Sequence, residues 1–189
     1  MDQAVAMRHV IRGEIVLAIS GCRIVGEELL KQRINIMNHD EPYDENYLAK
    51  ILSSVKTIAM VGASNDRTKF SYGVLRVLHE TGYEMIPVNP SLAGREIRGL
   101  KVFPSLKTID KKVDMVQVFR RADDLPKIAE EAVEIGAEVL WGQIGVKHPE
   151  AAKIAEKAGL KVVMNRCPKI ELFRHVTILF SIMFCRCPW

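Results

Sequence analysis

Residues 57–73, TIAMVGASNDRTKFSYG, decide the fold of this chain. The first seven, 57–63, are almost all apolar, which is typical of a strand buried on both faces of a parallel sheet. Gly62 allows the backbone to turn sharply after that strand and to come close to another group. A polar loop follows, and amphipathic spacing indicates a helix that begins near Ser71 and is closed by Gly82. A strand, a turn and a helix in this order predict the first crossover of an α/β sheet.

The rest of the chain repeats this alternation. A short helix behind Asp44 precedes the first strand, and a short link with one helical turn is expected at 99–109. Further strands are predicted at 83–90, 113–120, 138–145 and 160–168, and helices at 123–137 and 147–159. Because right-handed crossovers place helices on both faces of a parallel sheet, we predict a doubly wound α/β fold in a single domain. We assign that domain to residues 37–174, with an N-terminal extension of uncertain status at 1–36 and an apolar C-terminal tail at 175–189.

The composition restricts the classes of function. The chain has 189 residues, of which 48% are apolar and 26% charged, as in a globular protein. Its net charge of +4 is spread along the sequence and only 6% of residues are aromatic, whereas nucleic-acid surfaces combine clustered basic residues with stacking rings. No apolar run reaches the ~18–20 residues of a membrane helix. Four cysteines without zinc-type spacing predict no metal site and a reducing, cytoplasmic environment.

The first crossover has the features of a phosphate-binding loop. Ser64 offers a hydroxyl and a backbone amide, and Arg67 and Lys69 add positive charge. The predicted helix directs free amides and a partial positive charge into the same space. A typical dinucleotide site would also carry G-x-G-x-x-G and an acid after the second strand. Here the next glycine after Gly62 is Gly73, so the spacing of that motif is absent.

The second strand also departs from the dinucleotide pattern. It ends in Val88-Asn89-Pro90, without the acid that bonds a ribose diol, and Arg95 and Arg98 follow. A carboxylate at this place would repel a phosphate on the ribose. Its absence therefore points away from NAD and allows NADP or coenzyme A.

Several motifs in order resemble one family over residues 44–174. They are VGAS (61–64), SYGV (71–74), IPVNP (86–90), VFPSL (102–106), VDMVQVFRR (113–121), VLWGQIGV (139–146) and VVMNRCPKIE (162–171). The set resembles the stand-alone CoA-binding domain proteins, which are relatives of the CoA-binding domain in the alpha subunit of succinyl-CoA synthetase. The resemblance implies a Rossmann-like domain that binds coenzyme A or an acyl-CoA, with no established reaction for the stand-alone members.

The resemblance also implies which residues hold the cofactor. Gly62, Ala63, Ser64 and Lys69 would hold the phosphates, and Asn89 and Pro90 would border the adenosine. The remaining contacts would come from the ends of later strands: Phe119, Arg120, Arg121, Trp141, Gln143, Arg166, Cys167 and Pro168. Other interpretations stay open: Phe119 and Trp141 as core, Arg120 and Arg121 as solvated charges, and Gln143 as a loop cap. Cys167 is either a small buried residue or a thiol activated by its surroundings.

The sequence favours a binding module over an enzyme. No Ser-His-Asp order and no paired carboxylates converge on the predicted cleft. Two alternatives remain from other classes, an NADP-dependent oxidoreductase and a CoA-binding subunit of a larger acyl-CoA synthetase. A redox module that uses Cys167 is a third. Expected partners are CoA or an acyl-CoA, with a second copy or a synthetase-type subunit as protein partner.

Overall fold

The computed structural model describes residues 37–174, which form one α/β domain. Its helices are α1 (Glu45–Ser54), α2 (Phe70–Glu80), α3 (Leu125–Glu134) and α4 (Pro149–Lys157), and residues 168–174 are also helical. Its strands are β1 (Thr57–Val61), β2 (Glu84–Val88), β3 (Glu96–Ile97), β4 (Leu100–Lys101), β5 (Met115–Val118), β6 (Val139–Gly142) and β7 (Lys161–Val163). The predicted extension 1–36 and tail 175–189 lie outside the described residues.

The main sheet has five strands in the order β2-β1-β5-β6-β7, and every pair in it is parallel. The chain runs outward from β1 to β2 on one side, and then from β5 through β6 to β7 on the other. The direction of winding therefore reverses between β1 and β5, which are neighbours. The prediction of a doubly wound parallel sheet is confirmed.

Each face of the sheet is covered by its own pair of helices. On one face Ala59, Val116 and Leu140 pack against α3 and α4. On the other, Ile58 and Met60 pack against α1 and α2. Because both faces are buried, the central strands are mostly apolar, as the sequence indicated, and Gln117 in β5 is a buried polar exception.

The predicted helices and main strands all form, although with shorter bounds. The strand expected at 57–63 ends at Val61, because Gly62 has φ +87° and leaves the extended conformation. The helix behind Asp44 begins as expected, and the Asp44 carboxylate accepts a hydrogen bond from the Asn46 amide at 2.7 Å.

The connection between β2 and β5 contains more structure than the sequence predicted. The expected helical turn is present at Leu106–Thr108. The antiparallel hairpin β3–β4 was missed. Its buried Ile97 anchors it to the cluster that contains α2. Along residues 37–174, no helix is both long and apolar enough to cross a membrane.

Candidate functional site

The reversal between β1 and β5 creates a crevice at the carboxyl ends of these strands, where ligands bind in open α/β sheets. Gly62 follows β1 on one side of the crevice, and Phe119 follows β5 on the other. A Cβ atom added at Gly62 would lie 2.7 Å from the Phe119 carbonyl oxygen. Only glycine fits here, both because of the positive φ and because of this contact.

The loop after Gly62 is ordered by its own polar groups. The Ser64 hydroxyl accepts a hydrogen bond from the Asp66 amide at 3.1 Å. The Asp66 carboxylate in turn accepts bonds from the amide and hydroxyl of Thr68, which lower its pKa. Ala63 is fully buried beneath the loop.

The loop leads directly into the N-terminus of α2. Lys69 is the N-cap residue, and its side chain makes no capping hydrogen bond. The Tyr72 and Gly73 amides donate to the Lys69 carbonyl, whereas the Phe70 and Ser71 amides at the start of the helix keep their capacity to donate to an anion. The Lys69 side chain is exposed at the same point and adds a full positive charge.

Asn89 connects this loop to the end of β2. Its Nδ2 donates to the Ala63 carbonyl at 2.8 Å, and its Oδ1 accepts from the Ser91 amide at 2.9 Å. Pro90 follows in the first turn of a short 3₁₀ helix and is exposed. Because both ends of the Asn89 amide are engaged, this side chain positions the loop, and Pro90 offers its exposed ring beside it.

A cavity of about 340 Å³ lies on the other side of the loop, at the ends of β5 and β6. Its wall combines apolar side chains with one amide and one guanidinium: Phe70, Phe119, Arg120, Gln143, Ile144 and Val146. Two of the apolar side chains are exposed to solvent, Phe70 at 87% and Ile144 at 57%. Large exposed apolar groups beside a cavity are a sign of an interaction site.

A buried amide pair supports this cavity from below. Gln117 is fully buried in β5, and its Nε2 lies 3.4 Å from Oε1 of Gln143. The Gln117 Oε1 atom is buried and has no hydrogen-bond partner among residues 37–174. Sequence reasoning missed Gln117, although a glutamine inside an apolar strand is itself a signal, since buried polar groups are normally paired.

The two arginines after β5 lie in different places. Arg120 lines the cavity and forms an ion pair with Asp124 at 3.6 Å. Arg121 is exposed and precedes the short 3₁₀ helix that leads into α3. Arg120 is thus the one of the two that the structure brings to the cavity.

Trp141, Cys167 and Pro168 are buried behind the ends of β6 and β7. The Trp141 ring is fully buried, and its Nε1 donates to the Arg166 carbonyl at 2.8 Å. Cys167 is 5% exposed, and Pro168 is buried where the last helical segment begins. The guanidinium of Arg166 lies 5.7 Å from the centroid of the Tyr43 ring. Trp141, Cys167 and Pro168 therefore support the strand ends and present little surface to a ligand, whereas Arg166 is half-buried.

Asn165 is a further residue that the sequence did not single out. It has φ +56°, and its side-chain oxygen accepts a hydrogen bond from the Gly145 amide at 2.8 Å. It thereby joins the loop after β7 to the loop after β6, next to the cavity. Asparagine adopts positive φ more readily than most residues, which is the signal that was available.

Comparison with known proteins identifies the kind of domain. A family model described as a CoA binding domain matches residues 56–172. Uncharacterized protein YneT of Bacillus subtilis is 41% identical over 123 residues, covering 65% of this chain and 90% of that protein. A hypothetical protein from Pyrococcus horikoshii has a similar structure, with a TM-score of 0.68, 35% identity, and coverage of 73% of this chain and 98% of its own.

A more distant relative is part of an enzyme. The alpha subunit of ADP-forming acetate–CoA ligase I of Pyrococcus furiosus is 29% identical over 126 residues. The match covers 59% of this chain but only 27% of that subunit. The resemblance to the stand-alone relatives of synthetase alpha subunits is confirmed.

Proposed function

The chain belongs to the CoA binding domain family, and we propose that it binds coenzyme A or an acyl-CoA at the crevice between β1 and β5. One observation carries the proposal. The loop at residues 62–69, which leads into the start of α2, adjoins an apolar cavity at the point where the winding of the sheet reverses. A molecule with a diphosphate in its middle and apolar groups beside it matches that arrangement.

The diphosphate is proposed to lie against the loop after β1. Gly62 allows a close approach of the backbone, and the uncapped start of α2 supplies amide donors. Ser64 and Lys69 add a hydroxyl and a charge at the same edge. Backbone amides and a lysine are a sufficient set for a phosphate group, because charge-assisted hydrogen bonds are the strongest of their kind.

The cavity at β5 and β6 is proposed to hold an apolar part of the ligand, either the adenine or the pantetheine arm. Phe119 and Ile144 offer apolar contact, and Gln143 offers an amide for a polar group of the ligand. Trp141 contributes through support of β6, since its ring has no exposed surface.

We propose no reaction for this chain alone. Of the described residues that line the cavity, Arg120 is ionisable, and a permanently charged guanidinium does not serve as a general acid or base. The relation to the acetate–CoA ligase subunit supports a role in which the bound CoA or acyl-CoA is delivered to a synthetase-type partner.

The test is a thermal-shift series on the full chain with CoA, acetyl-CoA, NAD, NADP and ATP at equal concentration. A ligand at 100 times its dissociation constant stabilises a fold by about 2.7 kcal/mol, which is a visible shift. We expect CoA and acetyl-CoA to shift the transition and NAD and ATP not to do so. A shift with NADP alone would favour the oxidoreductase alternative.

Matched variants locate the ligand. Lys69→Gln is expected to weaken CoA binding about threefold to tenfold, because it removes one charged contact. Lys157→Gln is the control, since Lys157 ends α4 just before β7 begins and so lies near the amino ends of the strands, away from the crevice. Ile144→Ser should weaken CoA binding, whereas Ile170→Ser, which removes an exposed isoleucine outside the cavity wall, should not. If each variant and its control weakened CoA binding equally, the result would contradict binding at this crevice.

A further inference from the structure

A basic groove adjoins the loop after β1, on the side away from the apolar cavity. Two adjoining cavities, each of about 380 Å³, lie between α2, the loop after β1 and the hairpin β3–β4. Both are lined by Arg67, Tyr72 and Arg98, and one of them also by Arg76. We call these four residues the arginine groove.

The positive charge of the arginine groove is only partly paired with carboxylates. Arg67 and Arg76 form no ion pair with a carboxylate among residues 37–174. Arg98 is bonded to Glu80 at 2.9 Å. Glu96 also lines the groove and opposes its positive charge. Arg67, Arg76 and Arg98 thus outnumber the carboxylates of Glu80 and Glu96, and the positive charges of Arg67 and Arg76 have no carboxylate partner among the described residues.

Tyr72 provides a hydroxyl donor between these charges. Arg98 Nη1 donates to Tyr72 Oη at 3.5 Å, and the Arg98 guanidinium lies 6.0 Å from the centroid of the Tyr72 ring. That hydrogen bond, together with the charges of Arg98 and Arg67, lowers the pKa of Tyr72. Because its oxygen accepts from Arg98, its proton is left to donate to an anion.

The hairpin holds Arg98 in place at a conformational cost. Arg98 and Gly99 form the two-residue loop between β3 and β4, with φ +56° and +77°. A turn with two positive φ values favours Asn-Gly or Gly-Gly, and an arginine in the left-handed region is strained. The buried Ile97 beside it fixes the hairpin against the cluster that contains α2. A guanidinium is thus held at a place where glycine would fit more easily.

The location of the groove indicates which part of a ligand it meets. In doubly wound folds the adenosine ribose lies near the loop that follows the second strand, and an arginine there accommodates a ribose phosphate. The hairpin follows β2 along the chain, and Asn89 stands where an acid would bond a ribose diol. We infer that the arginine groove binds a phosphomonoester on the adenosine ribose and selects coenzyme A over its 3′-dephospho form. This inference rests on the proposed function, and it leaves the apolar cavity for the pantetheine arm.

The test compares dissociation constants of the full chain for CoA and 3′-dephospho-CoA, and for NADP and NAD, by titration calorimetry. We expect CoA to bind at least about tenfold more tightly than 3′-dephospho-CoA, as the loss of a charged hydrogen-bond set implies. Arg76→Gln should reduce that ratio about threefold or more, and Glu96→Gln should raise it. Arg95→Gln is the control, because Arg95 lies on the same connection but outside the groove.

Arg98→Gly separates recognition from folding. Glycine relieves the positive φ at this position, so the variant should fold, which its thermal transition checks, and yet lose much of the preference for CoA. Equal affinity of the unmodified chain for CoA and 3′-dephospho-CoA would overturn the inference and leave the proposed function standing. If neither binds, the proposed function fails and the inference with it. Tighter binding of NADP than NAD, with CoA unbound, would keep the phosphate groove and overturn coenzyme A as its ligand.

Discussion

Replacement of Gly62 by alanine tests the geometry of the crevice most directly. Gly62 has φ +87°, and its added Cβ would lie 2.7 Å from the Phe119 carbonyl oxygen and 3.0 Å from the carbonyl carbon. The Phe119 backbone cannot withdraw easily, because its amide donates to the Val61 carbonyl at 2.8 Å within the sheet. The substitution therefore combines a conformational cost with a steric one.

Gly159 allows the two costs to be measured separately. It has φ +88°, and an added Cβ there would meet no atom within 4 Å. Gly159→Ala should cost only the left-handed conformation, about 1–2 kcal/mol. Gly62→Ala should cost the same plus about 1–3 kcal/mol for the overlap. The difference between the two variants is the steric contribution of the Phe119 backbone.

The assay is urea unfolding of the full chain and of both variants, with free energies extrapolated to water at a common slope. In thermal scans each kcal/mol corresponds to about 2–4 °C in a protein of this size. We also expect Gly62→Ala to bind CoA more weakly than Gly159→Ala, because relief of the overlap displaces the loop after β1, where we propose that the diphosphate binds. A Gly62→Ala variant as stable as Gly159→Ala would refute the close approach of the two strand ends.

Three further predictions concern single side chains. The Asp114 carboxylate accepts hydrogen bonds from the Thr57 and Lys56 amides, and these bonds, with the charge of Lys112, outweigh burial and lower its pKa. Asp114→Ala should therefore reduce the free energy of unfolding by about 1–3 kcal/mol at pH 7. In urea unfolding, the difference in free energy between the variant and the unmodified chain should become smaller below about pH 4, where the carboxylate is protonated. Burial raises the pKa of Tyr43 to about 12. The neutral phenol therefore contributes fully to stability below about pH 10, and this contribution is lost as the pH rises towards 12. In urea unfolding, Tyr43→Phe should lose less stability between about pH 10 and 12 than the unmodified chain. Cys167 is 5% exposed, so intact mass after treatment of the native chain with CoA disulfide should show the same number of adducts with and without Cys167→Ser.

The sequence predicted the part of the site that depends on local rules. Gly62 is recognisable because a glycine ends an apolar run before a polar loop, and the structure gives it the positive φ that this position suggests. The second reason for glycine, the contact with Phe119, requires β1 and β5 to be neighbours. That pairing joins residues more than fifty positions apart and has no local signal.

Trp141 and the β3–β4 hairpin show the opposite case. From the sequence, a tryptophan at the end of an apolar strand fits either a ligand wall or the core; in the structure its ring is fully buried and its Nε1 donates to the Arg166 carbonyl. The strands of the hairpin have two residues each, which is too short for any periodicity. Its loop is Arg-Gly, a weaker hairpin signal than Asn-Gly. The hairpin was therefore missed, and with it the arginine groove.

The strand ends of the crevice are joined in series by hydrogen bonds. The Gly62 amide donates to the Val88 carbonyl at 2.9 Å, the Asn89 side chain donates to the Ala63 carbonyl, and the Gln143 amide donates to the Val118 carbonyl at 3.2 Å. A ligand that binds here meets a backbone already in place, so the ordering cost falls on the exposed side chains of the rim. Changes in the joining residues should therefore alter stability and affinity together. Changes at the rim, such as Lys69→Gln, should alter affinity alone, and this difference separates the framework of the site from its contacts.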